Sequence, residues 1–246
     1  DPITDARNVD RVGELLADLT RGLPDVTSIH VVGTAAARRD ERVATAINEA
    51  CSALGWTYET LSHEVEAGLI LDAFGGRPDC DIVNVGGGSI QIVEPSGKAH
   101  LIGFGITDLN NRFGLARVPR LRRLEAAFDF ILSELPRMHR PFIYSGGELS
   151  YLVSLGAEVD EEGRCAADEF LRVADMVDAM ELDALEQRSP FDAGWIRGAV
   201  ASNAIVRACL IRAGVDHYYA SDVNIADGII SGLAAGRATH AAHAGL

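Results

Sequence analysis

Lysine is almost missing from this chain: among its 246 residues Lys98 stands alone, in a Pro95-Ser96-Gly97-Lys98 turn. Walker-type phosphate binding and Schiff-base catalysis each need a placed lysine amine, so neither is expected. Cysteine is scarce as well. Cys51, Cys80, Cys165 and Cys209 lie far apart with no C-x-x-C pair, which argues against disulfides and zinc–thiolate sites and predicts buried, reduced thiols. No apolar run reaches the roughly 18 residues of a membrane helix, and the stretch from Asp1 to Asn8 is polar and unlike a secretory signal. A cytoplasmic protein with no membrane partner is therefore expected. Positive charge is short too: 22 Lys and Arg against 36 Asp and Glu leave a formal net charge of −14, without the basic face that broad nucleic-acid binding requires. The basic residues that exist gather at Arg112, Arg117, Arg120, Arg122 and Arg123, then at Arg137, His139 and Arg140. A solvated helix face accounts for them.

The chain is 48% hydrophobic and 24% charged, enough to bury the core of one large or two small domains. Its most informative stretch runs Val83-Asn84-Val85-Gly86-Gly87-Gly88-Ser89-Ile90-Gln91-Ile92-Val93. Three glycines between two β-rich runs suit a hairpin turn whose residues adopt positive φ. Successive backbone N–H groups of Gly86, Gly87 and Gly88 can then converge on an anion, with the Ser89 hydroxyl as a further donor. A plain glycine-rich hairpin has the same composition, and a strand rather than a helix follows, unlike a Rossmann turn.

Hydrophobic spacing predicts a helix over 8–23, a strand over 27–32, a helix over 41–54, a strand over 57–61 and a helix over 64–74. Three strands near 81–85, 89–94 and 99–104 then form a meander. A helix over about 119–135, a strand over 141–145, helical stretches over 166–187 and 192–213, a strand over 216–220 and a helix over 224–236 follow. The second half thus reads β-β-β-α-β-α-β-α, and the first half repeats it without the opening three strands. The expected domains are residues 1–76 and 77–237, with 238–246, including His240 and His243, as a flexible tail.

This duplicated pattern resembles the actin-like (ribonuclease H-like) phosphotransferase superfamily, an α/β fold in which two such domains enclose a cleft. Residue motifs narrow the match. Val32-Gly33-Thr34-Ala35-Ala36-Ala37-Arg38 resembles the Ala-Thr-Ser-Ala-x-Arg segment of the exopolyphosphatase and guanosine pentaphosphate phosphohydrolase family (Ppx/GppA). Leu61 to Ala67 resembles its Ile-Ser-Gly-x-Glu-Glu-Ala segment, and Asn84 to Gln91 its Asp-x-Gly-Gly-Gly-Ser-Thr-Glu. Gly105 and Phe113 fit the glycine and aromatic after the meander, Ser145-Gly146-Gly147 resembles a Gly-Gly-Thr turn, and Ser221 to Gly228 resembles the Ser-x-x-x-x-x-Glu-Gly ending. The set covers essentially the whole chain in order.

The resemblance implies hydrolysis of a phosphoanhydride such as polyphosphate or a guanosine polyphosphate. Glu66 stands at the catalytic glutamate, which deprotonates the attacking water, and Arg38 at an arginine that holds phosphate oxygens. Read as residues alone, Glu66 starts a helix where carboxylates suit the dipole, and Arg38 is a surface residue at a helix entry. Gly86, Gly87, Gly88 and Ser89 would cradle phosphate, with further backbone donors from Ser145, Gly146 and Gly147.

Three departures from the family pattern stand out. Asn84 and Gln91 replace the two acids that help hold Mg²⁺, and neutral amides are poorer ligands for that hard cation. Asp81 and Asp108 lie near in sequence, although Asp81, three residues from Asn84 on a strand, faces the other way. The first domain's opening hairpin of the family pattern has no counterpart before Val32, which implies a preceding segment, a partner chain or a homodimer mate covering its sheet edge. The expectation is a phosphoanhydride hydrolase. The alternatives are a catalytically reduced phosphate- or nucleotide-binding regulatory protein of the same fold, and an ATP-holding kinase or chaperone-type cycle.

Overall fold

The computed structural model describes residues 11–21, 26, 28–75, 79–116, 121–191 and 193–234, which fall into two compact units divided between Glu66 and Ala67. In the first unit α1 (Val12–Thr20) is followed by β1 (His30–Gly33), α2 (Ala35–Arg39), α3 (Glu41–Ala53) and β2 (Thr57–Thr60). β1 and β2 pair in parallel, His30 opposite Thr57 and Gly33 opposite Thr60. Asp40 starts α3 as an N-cap, its carboxylate accepting from the Arg42 N–H and so satisfying a donor that the helix cannot. The apolar stripe of α3, Val43, Ile47 and Cys51, closes with Val12 into a small core against Val31, Trp56 and Tyr58. That 3.6-residue spacing is why α3 was legible in sequence.

α4 (His63–Ala73) begins in the first unit and ends in the second. The reason is packing: Ala67 and Ile70 of its later turns are buried with Cys80, Ile82, Val93 and Ile143. The division therefore falls inside this helix, where the sequence placed it after residue 76.

The second unit is built on a six-stranded sheet of β3 (Asp81–Val85), β4 (Ile90–Val93), β5 (Ala99–Ile102), β6 (Phe142–Ser145), β7 (Arg164–Ala166) and β8 (His217–Ser221), in the order β5-β4-β3-β6-β8-β7. The meander β3-β4-β5 is antiparallel, and β6 and β8 add in parallel on the far side of β3. Period-2 alternation sorts the residues onto two faces. Val83 and Tyr144 belong to the large core, which also holds Phe142, Phe170 and Tyr218, whereas Ile82, Ile143 and Val93 face the α4 side.

The helices are α5 (Ile106–Phe113), α6 (Leu121–Glu134), α7 (Glu148–Ser154), α8 (Ala167–Ala179), α9 (Leu182–Glu186), α10 (Ala193–Ile196), α11 (Ala199–Ala213) and α12 (Ile225–Ala234). α11 is buried along most of its length, so its sequence carries no amphipathic stripe. α2, α5, α7 and β7 were not foreseen. Each has eight residues or fewer, too short for a clear period, and the expected helix from 166 follows the edge strand β7, antiparallel to β8. The two long helical stretches are also each broken, into α8 with α9 and α10 with α11. The expected tail, 238–246, lies outside the described residues, as do Arg117 and Arg120. No helix among the described residues is long and apolar enough to cross a membrane.

Candidate functional site

The glycine turn does not take the conformation its composition suggested. Gly86, Gly87 and Gly88 are absent from the positive-φ glycines, and their role is close approach. The Gly86 N–H donates to the Ser89 carbonyl at 2.9 Å, closing the turn between β3 and β4. The carbonyls of Gly86 and Gly87 point to the start of α5, accepting from Ile106 N–H at 3.0 Å and Thr107 N–H at 2.9 Å. These bonds satisfy orphan donors of the first helical turn, so that end of α5 is spent on the loop rather than on a ligand. Gly105 makes the contact possible: a Cβ there would lie 2.2 Å from Gly86 O and 2.6 Å from Gly87 C. The Gly105 N–H is itself held by Asp108 Oδ2 at 3.1 Å, which gives Asp108 a structural partner. Among the described residues nothing accepts from the Gly87 N–H.

The second turn, Ser145-Gly146-Gly147, links β6 to α7. Gly146 and Gly147 have φ of +105° and +95°, a region that other residues enter only with strain. Gly147 also lies under the stacked rings of Phe191 and Trp195, whose centroids are 4.0 Å apart. The Gly146 N–H is taken by the Ser221 carbonyl at 3.1 Å. Ser145 is buried and its hydroxyl donates to Asn84 Oδ1 at 3.3 Å.

The two turns converge. Gly86 and Gly87 from one, Ser145 and Gly146 from the other, with Thr107, Asn110, Tyr144, Glu148, Trp195 and Ser202, line a single cleft of about 300 Å³ in the second unit. Gly88 and Ser89 are not among its lining residues, and Ser89 is buried. The Ser202 and Tyr144 hydroxyls bond each other at 2.7 Å, and Asn110 donates from Nδ2 to the Arg197 carbonyl while its buried Oδ1 has no partner among the described residues.

Glu148 is the group that sequence reasoning missed. It is the first residue of α7, only 2% exposed, and its Oε1 accepts from the Tyr218 hydroxyl at 2.6 Å. Burial pushes its carboxyl up to about 7, opposed by the Tyr218 hydrogen bond and helped by the charge of Asp222. A glutamate after Gly-Gly reads in sequence as an ordinary helix-start carboxylate.

Asn84 and Gln91 are directly opposite each other on β3 and β4, and Ser145 and Ser221 continue that row across β6 and β8. Two residues along from Ile82, Val93 and Ile143, they share the α4-side face rather than the Tyr144 side. Gln91 is 2% exposed, and neither atom of its amide has a partner among the described residues. Mg²⁺ prefers anionic oxygen, and this row supplies only amides and hydroxyls. No group of three or more His, Cys, Asp or Glu placed to hold a metal occurs among the described residues. The donor set does not fit the cation. Asp81 does not compensate, since it is paired with Arg140 at 3.4 Å.

In the first unit Arg38 and Glu66 are brought together. Arg38 Nη2 lies 2.7 Å from Glu66 Oε2, the glutamate buried and the arginine partly so, and Nη1 donates to the Leu61 carbonyl at 2.8 Å. The Nη2 contact is bent away from hydrogen-bond geometry, so it acts as charge against charge. His63 beside them is held neutral to lower pH than usual, by burial first and by the Arg38 charge second. The two residues expected as base and phosphate grip thus form an ion pair in which each offsets the other's charge. The four cysteines are all buried and in no disulfide, and burial pushes the Cys165 and Cys209 thiols up to about 12, so those two are inert.

No protein-family model matches the sequence, and no curated protein matches it. Solved structures do match. An exopolyphosphatase from Cytophaga hutchinsonii superposes with a TM-score of 0.74 at 15% identity, over 94% of this chain and 81% of that one. The Aquifex aeolicus member of the Ppx/GppA family gives 0.68 at 16% identity, over 95% and 81%. An exopolyphosphatase-like protein gives 0.68 at 19% identity, over 92% and 82%. The chain has the actin-like fold of the Ppx/GppA proteins. Within that Ppx/GppA fold, the β3–β4 turn and the β6–α7 turn are brought to one cleft by the parallel pairing of β3 with β6.

Proposed function

We propose that the chain is a phosphoanhydride hydrolase of the exopolyphosphatase type, releasing terminal phosphate from polyphosphate or a guanosine polyphosphate. One observation carries the reading: the Gly86–Gly87 and Ser145–Gly146 turns line a single cleft, in a chain whose fold is that of proteins described as exopolyphosphatases. The Gly87 N–H and the Thr107 hydroxyl are the donors offered to a phosphate oxygen. Glu66 takes the water's proton as the water oxygen bonds to phosphorus; the anhydride P–O bond then breaks and the shortened chain leaves with its electron pair. Arg38, ion-paired with Glu66, orients that carboxylate. The protein acts as a homodimer.

A second reading, a catalytically reduced phosphate- or nucleotide-binding regulator, is favoured by Asn84 and Gln91, which carry no charge for a metal. Phosphate release from long-chain polyphosphate and guanosine pentaphosphate, with and without Mg²⁺, separates the two. For a hydrolase, Glu66→Ala lowers turnover by about 10²- to 10⁴-fold while ligand affinity stays within about tenfold. No release from either protein, with ligand still bound, establishes the regulator instead.

A further inference from the structure

The cleft has few donors for an anion. Among the described residues lining it there is no arginine, lysine or histidine, the Gly86 and Gly146 N–H groups are consumed within the protein, and the hydroxyls of Tyr144 and Ser202 bond each other. Into this same cleft the fold places one carboxyl, Glu148, buried on α7 and fixed by the Tyr218 hydroxyl at 2.6 Å. An ionised carboxylate there only accepts, and it repels phosphate. A protonated one donates.

We propose that Glu148 is a specificity-determining residue of the cleft: as the neutral acid it donates to a phosphate oxygen seated against Gly87 and Ser145–Gly146, and as the carboxylate it expels that ligand. Each phosphate that binds to the ionised protein therefore brings one proton onto Glu148. The inference rests on the phosphate reading of the cleft made above. Groups acting on Glu148 from every side are uncharged or acidic: Tyr144 on β6, Tyr151 on α7, Cys165 on β7, Tyr218 on β8 and Asp222 just after it. Among the described residues no cation acts on Glu148 to hold the ionised form in place once an anion enters. With its carboxyl raised to about 7, Glu148 changes state within the physiological range.

Sulfate is the probe, because its own charge does not change across the range. Calorimetric titration of the full chain between about pH 6 and pH 9, in buffers of differing ionisation enthalpy, reads both affinity and proton uptake. The expected affinity of the wild-type chain falls about tenfold per pH unit above pH 7, with uptake approaching about one proton per sulfate. Glu148→Gln, whose amide donates at every pH, binds with a flat profile and takes up none. Tyr218→Phe removes the hydrogen bond that favours the carboxylate, so it moves the midpoint to higher pH. A flat wild-type profile, or the same fall in Glu148→Gln, overturns the role of Glu148 and leaves the phosphate reading standing. Absence of sulfate binding by both proteins at about pH 6 overturns the phosphate reading and this proposal together.

Discussion

Asn84 and Gln91 show what a single change from carboxylate to amide does to a site. They face each other across β3 and β4, at the registered positions where two acids would share a cation. The Gln91 amide is buried with no partner for either atom among the described residues, a state that costs about 1–3 kcal/mol. Side-chain shape is nearly kept and charge is lost. Asn84→Asp combined with Gln91→Glu is therefore expected to raise Mg²⁺-dependent phosphate release above the wild-type rate, and to destabilise the metal-free protein because two carboxylates then adjoin without a counterion. Phosphate release titrated against Mg²⁺, with urea unfolding alongside, measures both. Unchanged or lower release in the double variant counts against the amides as the impairment.

At the scale of elements, the site depends on one close approach: the β3–β4 turn lies against the start of α5, and Gly105 is the gap through which they meet. Gly105→Ala forces a methyl within 2.2 Å of the Gly86 carbonyl, so the turn or the helix must shift. Overpacking of this kind costs roughly 1–3 kcal/mol, and the displaced Gly87 should weaken sulfate binding at least several-fold. Gly103→Ala is the control, because a Cβ there meets nothing within 4 Å and should change stability by no more than about 0.5 kcal/mol. Urea midpoints of the two variants that coincide would remove the close approach as the turn's determinant. The motif was visible in the sequence, yet its mechanics were not: the glycines were expected to twist through positive φ, which instead belongs to Gly146 and Gly147.

For the whole molecule the open question is the edge of the small sheet. β1 and β2 each have one edge unpaired among the described residues, and natural proteins cover such edges. With the homodimer proposed above, light scattering of the purified chain should return twice its 26.2 kDa mass across micromolar dilution. A monomer at every concentration would refute it. Salt tests the origin of the contact: strand pairing and apolar burial persist at high ionic strength, whereas an association built on exposed charges weakens.

The sequence by itself determined the class and order of the long elements. The short apolar runs of β4 and β6, buried on both faces, and the 3.6-residue stripe of α3 are local consequences of what is buried, so they are written in neighbouring residues. The ordered motifs, from Val32–Arg38 to Ser145–Gly147, likewise carried the fold and the two glycine turns that line the cleft. Tertiary structure alone decided the chemistry inside. Glu148 meets Tyr218 seventy positions away, Arg38 is neutralised by Glu66, and β7 pairs with β8 across more than fifty residues. A side chain's charge state depends on burial and on partners that are distant in the chain, and no local pattern records which residues those will be.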